Sequence, residues 1–307
     1  MTTRNTVFLD YTQDELDRAY DQRAWAPDAA AIIARYATDS AAARARLAHR
    51  AGLAYGPGKD EVLDYFPAAV PNAPIHVFVH GGAWRSLSKD DAAAAAPTFV
   101  AAGASYAALN FSLIPDARLP QIADQVRRAV AWIWRNAAAL GGDADRITVS
   151  GHSSGGHLAA VLLTTDWSRY GVPDRVIKGA VCLSGMYDLA PVMLSARAAY
   201  VTLSPEEVAA LSPLRHLDRI ACPVIVGHGA RESPEFRRHG YALAAALAPS
   251  GRLRRHFVLA GLNHFEVPEE LNRPDTKLAR AVLALMGLSP GRAGQPASDQ
   301  IVSSSSG

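Results

Sequence analysis

Cysteine is scarce in this 307-residue chain, and no five charges of one sign follow one another. The two cysteines, Cys182 and Cys222, lie in or beside apolar runs, which favours buried thiols and excludes a disulfide scaffold. No Cys/His spacing of the metal-finger type occurs, and the sequence indicates neither a metal nor a cofactor. Because the formal net charge is only +2, nucleic acid is not expected as a partner.

Long apolar runs are also missing, since no stretch of 18 apolar residues is present. The first ten residues lack the apolar core of a secretory signal. These features predict a cytoplasmic protein without a membrane partner. Its 49% hydrophobic and 20% charged residues are typical of a globular protein with a sizeable core. We expect one domain over residues 1–288 and a disordered polar tail over 289–307.

Apolar runs alternate with amphipathic helical ones along most of the chain. A helical segment over about residues 12–50 comes first, and this alternation then predicts an α/β fold, a mostly parallel sheet with helices on both faces. The predicted strands are 61–66, 75–80, 104–112, 146–150, 177–184, 223–228 and 253–260. The predicted helices are 89–102, 119–139, 154–164, 205–211, 234–247 and 267–286.

One strand-to-helix junction carries a motif. The run Gly151-His-Ser-Ser-Gly155 has the G-x-S-x-G pattern between a buried-strand run and a helix-forming run. Such a turn is so sharp that its serine, here Ser153, stands clear of the sheet, and larger flanking side chains would collide with neighbouring backbone. A glycine-rich turn with an idle serine is the alternative. The pattern predicts Ser153 as a nucleophile of an α/β-hydrolase.

A serine nucleophile needs a base, and in this fold the acid and the base follow it in the order Ser, acid, His. Among ten histidines, His264 is best placed, just after the last predicted strand. His152 and His157 adjoin Ser153 in sequence but are expected to face away from the position of a base.

The acid is expected after the predicted strand 223–228. Glu232 lies in that loop, whereas Glu235 belongs to the first turn of the next helix and is expected only to favour its dipole. Asp218 precedes the strand, at the wrong end of the sheet. We therefore predict Glu232 as the acid that orients the imidazole.

Two backbone amides should hold the oxyanion that the attack creates. One belongs to Ser154, the residue after the nucleophile, and the other to the loop that follows an early strand. There the run Val79-His-Gly-Gly-Ala-Trp84 lets the main chain approach a substrate oxygen, which predicts Gly82 and Ala83 as donors. A plain Gly-Gly turn is the alternative.

Together these segments resemble the kynurenine formamidase (arylformamidase) group, in the hormone-sensitive-lipase-like branch of the α/β-hydrolases. The resemblance covers about residues 15 to 286 and implies the nucleophile, base and acid already named. In that group the acid is usually Asp, where this chain has Glu232, and an aromatic residue often stands at the position of Ala83. The motifs that carry it are Tyr20-Asp-Gln-Arg23, Trp25-Ala-Pro27, His80-Gly-Gly-Ala-Trp84, Gly151-His-Ser-Ser-Gly155, Ser184-Gly-Met-Tyr-Asp-Leu189, Glu232-Ser-Pro-Glu-Phe236 and Asn263-His-Phe-Glu266.

Three functions stay open at this point. The first is hydrolysis of an aryl amide, a formamide in particular, and the second is a carboxylesterase acting on aromatic or short-chain esters. The third is a non-catalytic binding protein on the same scaffold. Trp84, Met186, Tyr187 and Phe265 flank the site loops and are predicted to form an apolar cleft for a small-molecule substrate. The sequence leaves the oligomeric state open, a homodimer included.

Overall fold

A computed structural model of the chain describes residues 5–289. Eight strands in these residues form one sheet in the order β1-β2-β4-β3-β5-β6-β7-β8. The first two strands pair antiparallel to their neighbours and strands β3 to β8 run parallel, which confirms the predicted mostly parallel sheet. The strands are β1 (Arg50–Ala54), β2 (Val62–Phe66), β3 (Ala73–Val79), β4 (Ser105–Leu109), β5 (Gly142–His152), β6 (Ile177–Leu183), β7 (Val224–Gly229) and β8 (Leu253–Leu259).

Helices cover both faces of this sheet. They are α1 (Gln13–Tyr20), α2 (Ala29–Arg46), α3 (Ala96–Ala101), α4 (Leu119–Asn136), α5 (Ser154–Leu163), α6 (Ala190–Leu194), α7 (Pro205–Ala210), α8 (Pro234–Leu247) and α9 (Lys277–Leu285). Short 3₁₀ helices lie between them, among them Gln22–Trp25, Ala196–Ala199 and Val267–Leu271. None of the helices within residues 5–289 is long and apolar enough to cross a membrane.

The core has two layers because side chains of a strand alternate between the two faces of a sheet. On β3, Val77 packs into the layer that contains α4, α5 and α8, and its neighbour Phe78 packs into the layer that contains α3 and α9. All seven residues of β3 are buried. A central strand covered on both faces therefore has the continuous apolar sequence expected of a parallel sheet.

Four elements differ between the prediction and the structure. The predicted helix 89–102 is a 3₁₀ helix at Lys89–Asp91 followed by α3, which begins only at Ala96 because Pro97 fits a first helical turn. The first helical segment ends at Arg46, and the residues that follow form edge strand β1, whose mostly exposed side chains gave no apolar pattern. The predicted helix 267–286 is wrong over its first half, because Pro274 interrupts it and α9 begins only after the N-cap Thr276. Helix α6 was not predicted. Of the predicted tail 289–307, all but Ser289 lies outside the described residues.

The carboxyl ends of five parallel strands, β3, β5, β6, β7 and β8, lie at the same end of the sheet. Val79 at the end of β3 pairs with Gly151 of β5, and Gly229 at the end of β7 pairs with Leu259 of β8. The loops that follow these strands carry every residue of the predicted site. Parallel topology thus brings together segments that are more than a hundred residues apart in sequence.

Candidate active site

The turn around Ser153 is as sharp as its sequence predicts. Ser153 lies between the end of β5 and the start of α5 and has φ 58° and ψ −123°. This backbone conformation is unfavourable for residues that carry a Cβ atom. A Cβ atom on Gly151 would lie 2.0 Å from the carbonyl oxygen of Gly155, and one on Gly155 would lie 2.1 Å from that of Val79. The expectation that these neighbours must be small is confirmed.

Three side chains from distant loops form a connected chain of contacts. The Oγ atom of Ser153 lies 2.9 Å from Nε2 of His264, and Nδ1 of His264 lies 3.3 Å from Oε2 of Glu232. All three are buried, with exposed fractions of 6%, 3% and 2%. The structure therefore brings the predicted nucleophile, base and acid together, in the order that proton transfer from serine requires.

Glu232 is held by two further donors. Its Oε1 atom accepts a hydrogen bond from the backbone amide of Gly229 at 2.7 Å and one from the hydroxyl of Ser184 at 2.5 Å. The other carboxylate oxygen remains directed at His264. Ser184 was missed as a site residue, although its place directly after β6, in the run Ser184-Gly-Met-Tyr-Asp-Leu189, was a signal that could have identified it.

A local turn presents His264. The side-chain oxygen of Asn263 accepts hydrogen bonds from the backbone amides of Phe265 at 2.9 Å and Glu266 at 3.3 Å. The amide nitrogen of Asn263 donates to Asp28 at 3.2 Å, and the hydroxyl of Tyr36 donates to the carbonyl oxygen of Phe265. Residues before β1 thus fix the loop that carries the imidazole.

His152 lies beside the imidazole of His264, so the expectation that it faces away is wrong. Its ring centroid is 4.6 Å from that of His264, and its Nε2 atom is 2.8 Å from the backbone oxygen of His264. Burial, and after it the nearby His264, hold the pKa of His152 well below its usual value. A neutral ring that meets a carbonyl oxygen through Nε2 must carry its proton there. His157 points elsewhere, toward the carbonyl oxygen of Leu211.

The loop after β3 provides free amides next to Ser153. Gly82 and Ala83 have φ of 100° and 56°, and the backbone amide of Trp84 donates to the hydroxyl of Ser154 at 3.2 Å, which ties this loop to the serine turn. Within residues 5–289 the amides of Gly82, Ala83 and Ser154 have no hydrogen-bond acceptor. Unpaired amides beside a nucleophile can stabilise a developing negative charge.

A cavity of about 740 Å³ opens above Ser153. Helix α1 and the residues after it, helix α2, the loop after β3 and the 3₁₀ helix Ala196–Ala199 contribute to its wall. Among the residues that line it are Tyr20, Arg23, Arg85, Arg197, Tyr200 and Phe265. The volume accommodates a substrate the size of a substituted aromatic ring.

Of the four predicted substrate contacts, only Phe265 lines this cavity. The prediction is wrong for Trp84, Met186 and Tyr187, which have no exposed surface and belong to the core. The indole of Trp84 packs edge-on against His157, with 5.3 Å between ring centroids, and the hydroxyl of Tyr187 accepts a hydrogen bond from the amide of Gly185. These side chains support the site loops from beneath.

No group of three or more His, Cys, Asp or Glu side chains in the described part of the chain is placed to hold a metal ion.

Known proteins resemble this chain, some of them along nearly its whole length. A kynurenine formamidase of Danio rerio is 31% identical over 291 residues, which cover 91% of this chain and 98% of that protein. Esterase LipQ of Mycobacterium tuberculosis is 31% identical over 227 residues, or 66% of this chain and 54% of the esterase. The family described as BD-FAE matches residues 64–175.

A solved structure resembles the fold as well. It comes from Silicibacter sp. TM1040, is provisionally described as a thioesterase, and matches with a TM-score of 0.77 and 29% identity. The match covers 87% of this chain and 98% of that one.

Proposed function

Because this chain belongs to the kynurenine formamidase family of α/β-hydrolases, serine hydrolases of amide or ester bonds, we propose that Ser153, His264 and Glu232 are its catalytic triad. The observation that carries the proposal is the 2.9 Å contact between Ser153 Oγ and His264 Nε2. Direct contact lets the imidazole remove the hydroxyl proton as the oxygen attacks.

The first half of the reaction forms an acyl-enzyme. Ser153 Oγ attacks the substrate carbonyl carbon while its proton passes to His264 Nε2. The carbonyl oxygen becomes negative and accepts hydrogen bonds from the amides of Gly82, Ala83 and Ser154. The Glu232 carboxylate accepts a hydrogen bond from Nδ1–H of His264, which holds the ring in one tautomer and stabilises the imidazolium.

Collapse of the tetrahedral intermediate completes the acyl-enzyme, and the second half of the reaction then releases the acid. His264 gives its proton to the leaving amine or alcohol as the tetrahedral intermediate collapses, leaving the acyl group on Ser153. A water molecule then transfers one proton to His264 and attacks the acyl carbon. Collapse of this second intermediate breaks the bond to Ser153 Oγ, which takes the proton back.

For the substrate we propose an amide or ester with an aromatic or similarly flat group, and an aryl formamide first. The relatives that match along almost their whole length are kynurenine formamidases, which favours the amide. The esterases among the relatives support a carboxylesterase as the second candidate. The test compares kcat/KM for N-formylkynurenine with that for p-nitrophenyl acetate and butyrate. An advantage of several orders of magnitude for the esters would replace the formamidase assignment.

The triad is tested with a fluorophosphonate probe followed by peptide mapping. The probe should label Ser153, and Ser153→Ala should lose the label and reduce kcat by ~10⁴- to 10⁶-fold while substrate still binds. Ser168→Ala, at an exposed serine that does not line the cavity, is the matched control and should keep both. Labelling at another hydroxyl, or a tenth of the activity left in Ser153→Ala, would rule out this nucleophile.

We further propose that residues 1–288 act as one domain in the cytoplasm, on a small-molecule substrate and without nucleic acid or membrane as partner. Cys182 and Cys222 are buried free thiols, as suits a reducing compartment. Burial raises the pKa of the Cys222 thiol to about 12, which keeps it protonated and unreactive. Cell fractionation tests the location, and light scattering after gel filtration tests whether the protein is a homodimer.

A further inference from the structure

Two arginines of the cavity gather around one tyrosine. The guanidinium carbon of Arg85 lies 4.4 Å from the ring centroid of Tyr200, and Nη1 of Arg197 donates a hydrogen bond to the Tyr200 hydroxyl at 3.2 Å. All three side chains line the cavity that contains Ser153 and His264. Two positive charges therefore share one side of the space where the substrate must lie.

The two guanidinium groups differ in how they are held. Nε and Nη2 of Arg197 both donate to the carbonyl oxygen of Tyr20, at 3.2 and 2.7 Å, which fixes this group between α1 and the segment before Tyr200. Arg85 makes no side-chain hydrogen bond and no ion pair within residues 5–289, so the fork of donors on its guanidinium is free. Its position is set by the backbone, because its amide donates to the carbonyl oxygen of Gly82 at 3.0 Å.

Neither arginine forms an ion pair with the acidic residues of the cavity within residues 5–289. Asp17 accepts hydrogen bonds from the amide of Ala196 and the side chain of Gln13, and Asp21 caps the 3₁₀ turn at Arg23. No carboxylate in the described residues pairs with Arg85 or Arg197. Two guanidinium groups that both contact Tyr200 and have no ion-pair partner favour an anionic group on the molecule that fills the cavity.

We propose that Arg85, Arg197 and Tyr200 form a subsite for a carboxylate on the leaving group of the substrate. The inference rests on the proposed function, because the leaving atom must reach His264 to receive its proton and the leaving group therefore occupies the cavity that His264 lines. Arg85 belongs to the same loop as Gly82 and Ala83. A carboxylate held by its free fork positions the reacting carbonyl relative to the oxyanion donors.

The test uses matched pairs of aryl acetates whose leaving group carries either a carboxylate or its methyl ester. Three lengths, 4-acetoxybenzoate, 4-acetoxyphenylacetate and 3-(4-acetoxyphenyl)propionate, sample the distance between the carboxylate and the reacting ester. For each pair the ratio of kcat/KM, anionic over neutral, is compared between the wild type and a variant. Differences in intrinsic reactivity cancel in that comparison.

Arg85→Gln should lower the ratio about tenfold for at least one length, chiefly through KM, since a charge-assisted bidentate contact is lost. Arg23→Gln is the matched control, because Arg23 lines the same cavity but does not contact Tyr200. It should change the ratio less than twofold. The wild-type ratio should also fall between 0.05 and 0.5 M salt, as expected of a charge pair.

If Arg85→Gln and Arg23→Gln lowered the kcat/KM ratio equally, the effect would come from the general positive potential of the cavity, and the subsite would be overturned. An unchanged ratio in both variants would overturn it as well. The neutral methyl esters separate this failure from that of the proposed function, because they test hydrolysis without the carboxylate. Calorimetry on Ser153→Ala gives a readout that needs no turnover. There the anionic ester should bind more tightly than its methyl ester, and equal affinities would reject the subsite.

Discussion

The Nε2 atom of His152 donates a hydrogen bond to the backbone oxygen of His264 over 2.8 Å. The residue before the proposed nucleophile thus holds the residue proposed as its base. Because His152 ends β5 and the loop that carries His264 follows β8, this bond helps to fix the distance between the serine hydroxyl and the imidazole. A side chain that touches no reacting atom can therefore affect the rate through position alone.

Replacing this side chain should reduce turnover. His152→Ala removes the donor and should lower kcat by ~10- to 100-fold, because a small displacement of the base is enough to weaken proton transfer. His152→Gln carries a donor at a similar reach and should recover most of the loss. Steady-state kinetics of both variants checks this. Equal losses in the two would mean that ring packing, and not the hydrogen bond, is what matters.

The two glutamates near the end of β7 should separate activity from stability. Glu232→Gln keeps the shape of the side chain but replaces the carboxylate that faces His264 with an amide. An amide NH₂ group that donates to Nδ1 favours the tautomer with its proton on Nε2, which cannot accept the serine proton, so kcat should fall ~10³- to 10⁴-fold. Glu235 is fully buried, accepts from the Tyr20 hydroxyl at 3.0 Å and pairs with Arg238 at 2.8 Å, so its expected role as a dipole residue alone was incomplete.

Glu235→Gln should therefore cost about 1–2 kcal/mol of unfolding free energy and change kcat less than tenfold. Urea titrations and kinetics on the same two preparations provide both readouts. A larger loss of kcat in Glu235→Gln than in Glu232→Gln would move the acid to position 235.

The backbone of Ser153 should carry a cost in stability. Its φ of 58° is unfavourable for any residue with a Cβ and readily adopted by glycine. Ser153→Gly should consequently be more stable than Ser153→Ala by about 1 kcal/mol, although glycine usually weakens a folded protein through the entropy of the unfolded chain. Both variants lack the hydroxyl, so the lost contact with His264 cancels. An alanine variant as stable as the glycine variant would show that the turn is unstrained.

Acid should weaken the fold through buried histidines. Burial lowers the pKa of His76 to about 3 and that of His157 to about 4, whereas an unfolded histidine titrates near 6.5. Between about pH 4 and 6.5 the unfolded chain binds more protons than the folded one. Above about pH 6.5 these residues make their full contribution to the unfolding free energy. The contribution decreases as the pH falls from about 6.5 to about 4.

Denaturant titrations of the wild type and His76→Gln between pH 4.5 and 8.5 test this effect. Below pH 6 the unfolding free energy of the variant should depend less steeply on pH than that of the wild type, by about 1.4 kcal/mol per pH unit. The reason is that the variant takes up one proton fewer when it unfolds. Above pH 7.5 the two slopes should coincide. Parallel curves over the whole range would mean that His76 does not contribute to acid sensitivity.

Local sequence patterns sufficed to identify the serine turn and to select His264 and Glu232 as the residues that the structure places beside it. Each of the three follows a strand of the parallel part of the sheet, and parallel strands bring their carboxyl ends to the same end of the sheet whatever the distance in sequence. Gly151 and Gly155 are required by the turn itself, because a larger side chain at either position would collide with backbone atoms. What the sequence could not show is which way an aromatic side chain points, since that depends on packing between elements. Trp84, Met186 and Tyr187 stand next to site loops in sequence and yet face the core.

Contacts between segments far apart in sequence were out of reach for the same reason. The bond from Ser184 to Glu232 links the ends of neighbouring strands β6 and β7, and no residue pattern specifies which hydroxyl will meet which carboxylate. Edge strand β1 was missed because only a buried face imposes a periodic sequence. The interruption at Pro274, by contrast, was visible in the sequence.

The contacts that Asp28 and Tyr36 make with the loop around His264 have a consequence for protein engineering. Recombining this chain with a homologue at a crossover near residue 50 would pair leading helices from one parent with a histidine loop from another. Such a hybrid could fold and still misplace its imidazole. A recombination library for altered selectivity should therefore take the leading helices and the loop around His264 from the same parent.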